Sequence, residues 1–226
     1  MKTHSKRYKE SAKEVQQDKA YQLKEAIIVL KKLPKPKFDG SVDLHFNLGV
    51  DTKKSDQMIR GTVVLPHGTG KKVRIAVFCK GEHERMAREA KADFVGGMEL
   101  IEKVSAGFLD FDCAVATPEM MKDLSKLGKV LGPRGLMPSP KTGTVTNDIT
   151  KAIEDVRKGK VEFRVDKQGG MHLAVGKISF TEDQLTDNAS KVIEAVNEAR
   201  PASVKGKFLK SLSITASMNP GLRLVC

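Results

Sequence analysis

The sequence predicts a two-domain protein of mixed α/β and α+β class. A discontinuous α+β domain is made from both termini, residues 1–67 and 160–226, and an α/β domain, 68–159, is inserted into it. Three observations lead there. Strand patterns near the two ends alternate apolar and polar residues, whereas those in the middle are short, wholly apolar and separated by helical segments. Charge divides the same way: the terminal segments carry 24 cations and 15 anions, net +9, and the middle carries 16 and 13, net +3. Finally, Gly128–Asp148 (GKVLGPRGLMPSPKTGTVTND) supports neither period. Pro133, Pro138 and Pro140 each remove a backbone donor, and Gly132, Gly135 and Gly143 can supply positive φ. A loop this long in a compact domain is functional, disordered or a rigid connector.

Taken in order, residues 1–20 are polar and basic and predict a frayed helix or arm. Leu23, Ala26, Ile27, Leu30 and Leu33 recur at helical spacing until Pro34 stops the helix. Lys35–Gly40 is a loop. Val42, Leu44, Phe46 and Leu48 then alternate with Asp43, His45 and Asn47 as a half-buried strand, and Thr62–Leu65 forms a second. In the middle, Val73–Cys79, Phe94–Val95 and Cys113–Ala116 read as strands. Glu82–Lys91, Glu99–Ala106, Pro118–Leu127 and Ile149–Lys158 read as helices, with Thr117 as N-cap and Pro118 at the first helical position. This texture predicts a small, mostly parallel, Rossmann-like α/β domain. Beyond Gly159, Val161–Val165 alternates, Gln168–Gly170 turns and Met171–Ile178 returns, which predicts a hairpin. Thr181 and Gln184 stand at capping-box spacing before a helix whose stripe is Leu185, Ala189, Val192, Ile193 and Val196. Two last strands, Leu212–Ala216 and Leu222–Val225, flank Ser217–Gly221.

Composition narrows the function. The net charge of +12 over 226 residues points to a polyanion, nucleic acid before membrane. No apolar run approaches the ~20 residues of a membrane span. The basic N-terminus lacks the apolar stretch of a secretory signal, and Glu10, Glu14 and Asp18 argue against a transit peptide. Cys79, Cys113 and Cys226 lie far apart and read as reduced thiols of a cytoplasmic protein.

Catalytic, metal and cofactor motifs are missing. His4, His45, His67, His83 and His172 fit no metal spacing, and GxSxG and GxGxxG do not occur. His67–Lys72 superficially resembles a phosphate-binding loop, but Leu65 and Lys72 occupy the places of its first Gly and its Ser/Thr. Asp110 and Asp112 read as solvated loop acids before paired catalytic carboxylates. With 5% aromatic residues and no Trp, the chain suits structured RNA better than stacked single strands. Phe38, between Lys37 and Asp39, is either tucked under its loop or an apolar contact for a ribose or base. Arg164 and Asp166 share a strand face, either as an ion pair or as a paired contact for phosphate and 2′-OH. Met218 lies in a turn between strands, odd for structure and useful as a soft apolar contact.

The Gly128–Asp148 run resembles the signature loop of the bacterial-type ribosomal protein L-one family. Val64–Gly70, Arg74–Phe78, Ala92–Gly97, Ala116–Met121 and Lys160–Lys177 resemble the family in the same order, so the likeness runs from about Leu23 to Leu224. The resemblance implies the inserted two-domain architecture and no enzyme activity. It further implies a role in the large ribosomal subunit: binding large-subunit rRNA at the mobile stalk near the exit site, assisting release of deacylated tRNA, and repressing translation of the protein's own mRNA. Its implied RNA site is the Phe loop, the strand end and the Met turn, matched here by Phe38, Arg164, Asp166, Lys167 and Met218. Lys37, His172, Ser217 and Asn219 complete the candidate site, with Arg134, Lys141 and Thr142 as a secondary RNA or interdomain contact. These three places are expected to meet at one end of a sheet. Ser217 and Asn219 depart from the family's Thr-Met-Gly turn. Serine keeps the hydroxyl, and asparagine tolerates left-handed backbone, so Asn219 is expected to preserve the turn.

Overall fold

The computed structural model describes residues 5–16, 19–204 and 206–225; the expectations for His4, Asp18 and Cys226 lie outside them. In chain order the elements are α1 (Lys6–Glu14), α2 (Leu23–Lys32), β1 (Ser41–Leu48), β2 (Arg60–Val64), β3 (Ile75–Phe78), α3 (Glu82–Glu89), β4 (Phe94–Gly96), α4 (Met98–Ser105), β5 (Cys113–Ala116), α5 (Met121–Leu124), α6 (Gly128–Leu131), α7 (Ile149–Arg157), β6 (Lys160–Arg164), β7 (Gly170–Lys177), α8 (Glu182–Glu198), β8 (Leu209–Ala216) and β9 (Leu222–Leu224). They form two compact units. One runs to Gly70 and resumes at Val161; the other spans Lys71–Lys160.

The first unit is built on β1. Its alternation puts Val42, Leu44, Phe46 and Leu48 on a face that is at most 2% exposed. That face packs on Ala26, Ile27 and Leu30 of α2 and on Leu185, Ala189, Val192 and Val196 of α8. β1 pairs antiparallel with β7 and β8, and β9 extends the sheet in the order β7-β1-β8-β9. The capping box at Thr181 and Gln184 forms as expected and starts α8. One buried polar residue interrupts the apolar stripe of α8. Asn188 donates to Val175 O and Gly68 O, at 2.8 and 3.0 Å, and accepts from His67 N at 3.1 Å. A fully buried amide, bonded at both its oxygen and its nitrogen, fastens the 65–68 turn to this unit.

One expectation for this unit is corrected. The segments around 161–165 and 171–178 do not form a hairpin: β6 pairs with β2, and β7 pairs with β1. Period-2 alternation specifies which side chains face the core but not which strand lies alongside. The N-terminal segment forms a helix, one of the expected forms, as α1 over Lys6–Glu14. Ser5 caps α1 by accepting from Tyr8 N, Val15 is buried, and Tyr21 N donates to Arg223 O at 2.8 Å beside β9.

In the second unit β3 lies between β4 and β5, all parallel. Every residue of β3 is buried, because both faces of the sheet are covered. Ile75 and Val77 meet Ile149, Ile153 and Val156 of α7, while Ala76 and Phe78 meet Leu100, Ile101 and Val104 of α4 and Leu124 of α5. Thr117 occupies the N-cap position but makes no capping bond through its side chain, and the first turn after it is 3-10. The Pro/Gly stretch is more regular than its composition suggests. It opens with α6, whose Leu131 is fully buried. Ala116 N and O bond Thr144 O and Thr146 N, at 2.9 and 3.1 Å, so the stretch ends by lengthening the edge at β5. No helix among the described residues is long and apolar enough to cross a membrane.

Candidate RNA-binding site

The Phe loop and the Met turn are clamped together by backbone geometry. Ser217 N donates to Ser41 O at 2.9 Å, and Ser41 N donates to Ser217 Oγ at 3.0 Å. Gly40 lets the strands approach: a Cβ there would stand 3.3 Å from Ser217 Cβ. The hydroxyl at 217 is therefore committed to holding the two loops. Phe38 is 54% exposed and Met218 67% exposed, so neither is a core residue. Lys37 is exposed beside Phe38.

Met218, and not Asn219, carries the left-handed backbone, with φ of 64°. Asn219 is 9% exposed. With its amide nitrogen turned toward Pro34 O and Met218 O, both 3.3 Å away, it ties the turn to the Phe loop. Ser11 Oγ approaches its side chain at 3.5 Å, and an Arg7 guanidinium nitrogen donates to Met218 O at 3.4 Å. Asn219 is thus a packing residue beneath the turn, and α1 brings a cation to the turn that no sequence signal indicated.

The strand-end residues sit elsewhere. Asn47 pairs with Gly170, and Ser41 pairs with Lys177, so the 166–170 turn lies at the far end of β1 from Ser217. Six residues of strand rise put roughly 20 Å between the two ends. The expectation that all three places meet at one end is therefore corrected: the order along β7 reverses it. Asp166 Oδ1 accepts from Gln168 N and Gly170 N, at 2.8 and 2.7 Å, which shapes the turn. Those backbone bonds hold its carboxyl below the usual carboxylate range. Among the described residues no ion pair joins Arg164 to Asp166.

Between the two ends runs the uncovered face of the sheet. Outward positions of β1 place Asp43 and His45 beside Thr215, Ser213 and His172 on neighbouring strands. His45 Nδ1 lies 2.8 Å from His172 Nδ1, and its Nε2 lies 2.9 Å from Thr215 Oγ1. One imidazole must donate to the other, so the pair favours a state that is not doubly protonated. Partial burial first, then the charge of His172, lower the pKa of His45, against the pull of Asp43. Burial raises that of Asp43, opposed by His45, Lys177 and His172. The outward half of the β1 alternation could have revealed Asp43 and His45. Their pairing with His172 depends on register, which composition does not encode.

Of the secondary candidates in the other unit, Arg134 and Lys141 are exposed. Thr142 is 3% exposed, and its hydroxyl donates to Ser139 O at 3.0 Å inside the turn, so it is structural. Asp112 is no free acid. Lys71 Nζ at 2.8 Å, then Arg74 N at 3.1 Å and Nε at 3.3 Å, hold its carboxyl at about 2. Burial pushes the Cys79 thiol up to about 11, which suits an inert core thiol. Among the described residues no cluster of His, Cys, Asp or Glu could hold a metal ion.

These units define a basic binding protein, with an open polar sheet face bounded at one end by exposed Phe38 and Met218 and at the other by Arg164 and Lys167. The model of the ribosomal protein L1p/L10e family matches residues 30–220, and the chain belongs to that family. Large ribosomal subunit protein uL1 of Solidesulfovibrio magneticus is 52% identical over 224 residues, covering 99% of this chain and 95% of the relative. The uL1 proteins of Fervidobacterium nodosum and Protochlamydia amoebophila are 53% and 52% identical, covering 99% and 97% of this chain and 96% and 93% of their own. The family is one of ribosomal proteins rather than enzymes.

Proposed function

We propose that the chain is a structural RNA-binding protein of the large ribosomal subunit, acting in the cytoplasm on the ribosome. Its first unit is read as the discontinuous RNA-binding domain and its second as the inserted α/β domain. The ligand is large-subunit rRNA at the mobile stalk near the exit site. There the protein assists release of deacylated tRNA, and by binding a similar fold in its own mRNA it represses its own translation. The observation that carries RNA binding is the clamp between Ser41 and Ser217, which presents Phe38 and Met218 together at one end of a polar sheet face. Structured RNA is recognised by shape, phosphates and 2′-hydroxyls, which such a face can contact. Arg134 and Lys141 are proposed as a secondary contact.

The test is titration of the full chain with a transcript of the rRNA stalk region at several salt concentrations. Arg7, Lys37, Arg164 and Lys167 would neutralise about four phosphates, which predicts an affinity loss on the order of a hundredfold over a fourfold rise in salt. An affinity that stays flat over that range rejects phosphate contact as the main interaction. Co-sedimentation with ribosomes at moderate salt checks the assembly itself.

A further inference from the structure

The turn after β6 borders a cleft that the Phe loop and Met turn do not share. It measures about 540 Å³ and is lined by Thr52, Met58, Arg164, Val165, Asp166 and Lys167. Its walls are not loose loops. Thr52 Oγ1 donates to Lys167 O at 2.8 Å, joining the 51–58 loop to the turn. Asp51 N donates to Gln57 Oε1 at 2.7 Å, which closes the 51–58 loop on itself. Leu48 N donates to Gly169 O at 2.8 Å, anchoring the turn to the end of β1. Val165 is buried at 5% exposure and forms the floor, while Met58 is 48% exposed at the side. A large apolar side chain is thus held open to solvent next to two cations that form no ion pair among the described residues.

We propose that this cleft receives a single unpaired nucleobase of the bound RNA, packed against Met58, with Arg164 and Lys167 holding the phosphates that flank it. This rests on the RNA-binding reading above and adds a residue and a mode of contact to it. Size permits a base: the volume lies in the range of small-ligand sites, which have room for a planar ring and not for a duplex. Charge selects the class of ligand, because an apolar floor with a cationic rim complements a flat ring carried on an anionic backbone. A thioether packs well on an aromatic ring. Asp166, ionised at neutral pH, offers an acceptor to an exocyclic amine or a 2′-OH at the rim.

Methionine oxidation tests this on the wild-type chain. Peroxide converts exposed methionines to sulfoxides, and mass spectrometry reads each one with and without the rRNA stalk transcript. Met86 and Met98, 46% and 43% exposed on the other unit, serve as internal references. The expected result is that the transcript slows oxidation of both Met58 and Met218 at least fivefold relative to those references. Protection of Met218 without Met58 overturns the cleft alone. Protection of neither, with no binding of the transcript, overturns the RNA-binding reading and the cleft together. As a second measurement, Met58→Ala should weaken binding of the transcript roughly five- to tenfold and Met58→Leu should restore most of it. Equal affinity of wild type and Met58→Ala also overturns the proposal.

Discussion

At residue 218 the fold accepts a local backbone cost at an exposed position. A non-glycine residue in the left-handed region costs about 1–2 kcal/mol, and Met218 sits there while 67% exposed. Packing does not explain a long apolar side chain in that place; the proposed RNA contact would. Two substitutions separate the effects. Met218→Ala keeps the positive φ, so melting should hardly change while the rRNA transcript binds more weakly by roughly 1–2 kcal/mol, the worth of a buried apolar contact. Met218→Gly should lose the same affinity yet melt at an equal or higher temperature, because glycine adopts this φ without strain. Parallel melting and titration decide it. If both variants bind the transcript normally, Met218 makes no contact with the RNA and the site is misassigned. The sequence exposed this residue because a methionine between two strands is out of place. It could not show that Met218, rather than Asn219, takes the left-handed conformation, since asparagine is the better prior for that backbone.

The elements show how far alternation carries an argument. The period of β1 correctly separated a core face from a polar face, and the apolar runs of β3 and β5 correctly implied a sheet covered on both sides. What alternation left open was adjacency. The predicted hairpin between Val161 and Ile178 failed because β6 and β7 join different neighbours, and with it failed the expectation that Lys167 meets Met218. Helix composition was similarly silent about Asn188, whose role depends on carbonyls distant in sequence. The polar face of the sheet has its own consequence for pH. His45 has a pKa lowered from 6.5 in the folded state, so the unfolded chain binds the proton more readily there. Its contribution to stability is complete above 6.5 and is lost as pH falls below it. Melting at pH 7.5 and 5.5 should show acid destabilisation that shrinks in His45→Gln by an amount worth no more than a few degrees in Tm. His172→Gln should shrink it less, because burial outranks the charge of His172 among the causes. A His45→Gln protein with an unchanged difference between the two pH values would remove the pair from the account.

At the scale of the whole molecule the question is which unit holds the RNA. The two segments that form the first unit carry most of the net charge, and that unit holds the Phe loop, the Met turn and the cleft. The second unit offers Arg134 and Lys141 on a stretch that α6 and the Thr144–Thr146 bonds tie to its own core. This predicts that the first unit binds by itself. The structure also says where to cut. Gly68 O and His67 N bond Asn188, and Gly70 packs against Lys177 and Phe180, so excision must begin after Gly70. Replacing residues 71–159 with a short Gly/Ser linker leaves the main core cluster complete, because none of its residues falls in that interval. The excised protein should therefore melt cooperatively and retain affinity for the rRNA transcript within about tenfold, or about 1.4 kcal/mol. A protein of residues 71–160 alone should bind weakly and with a shallower salt dependence than the whole chain, because it neutralises fewer phosphates. If the first unit folds but loses more than about 3 kcal/mol, two decades in Kd, the principal contact belongs to the Pro/Gly stretch of the second unit. Arg134 and Lys141 would then be the side chains to change first.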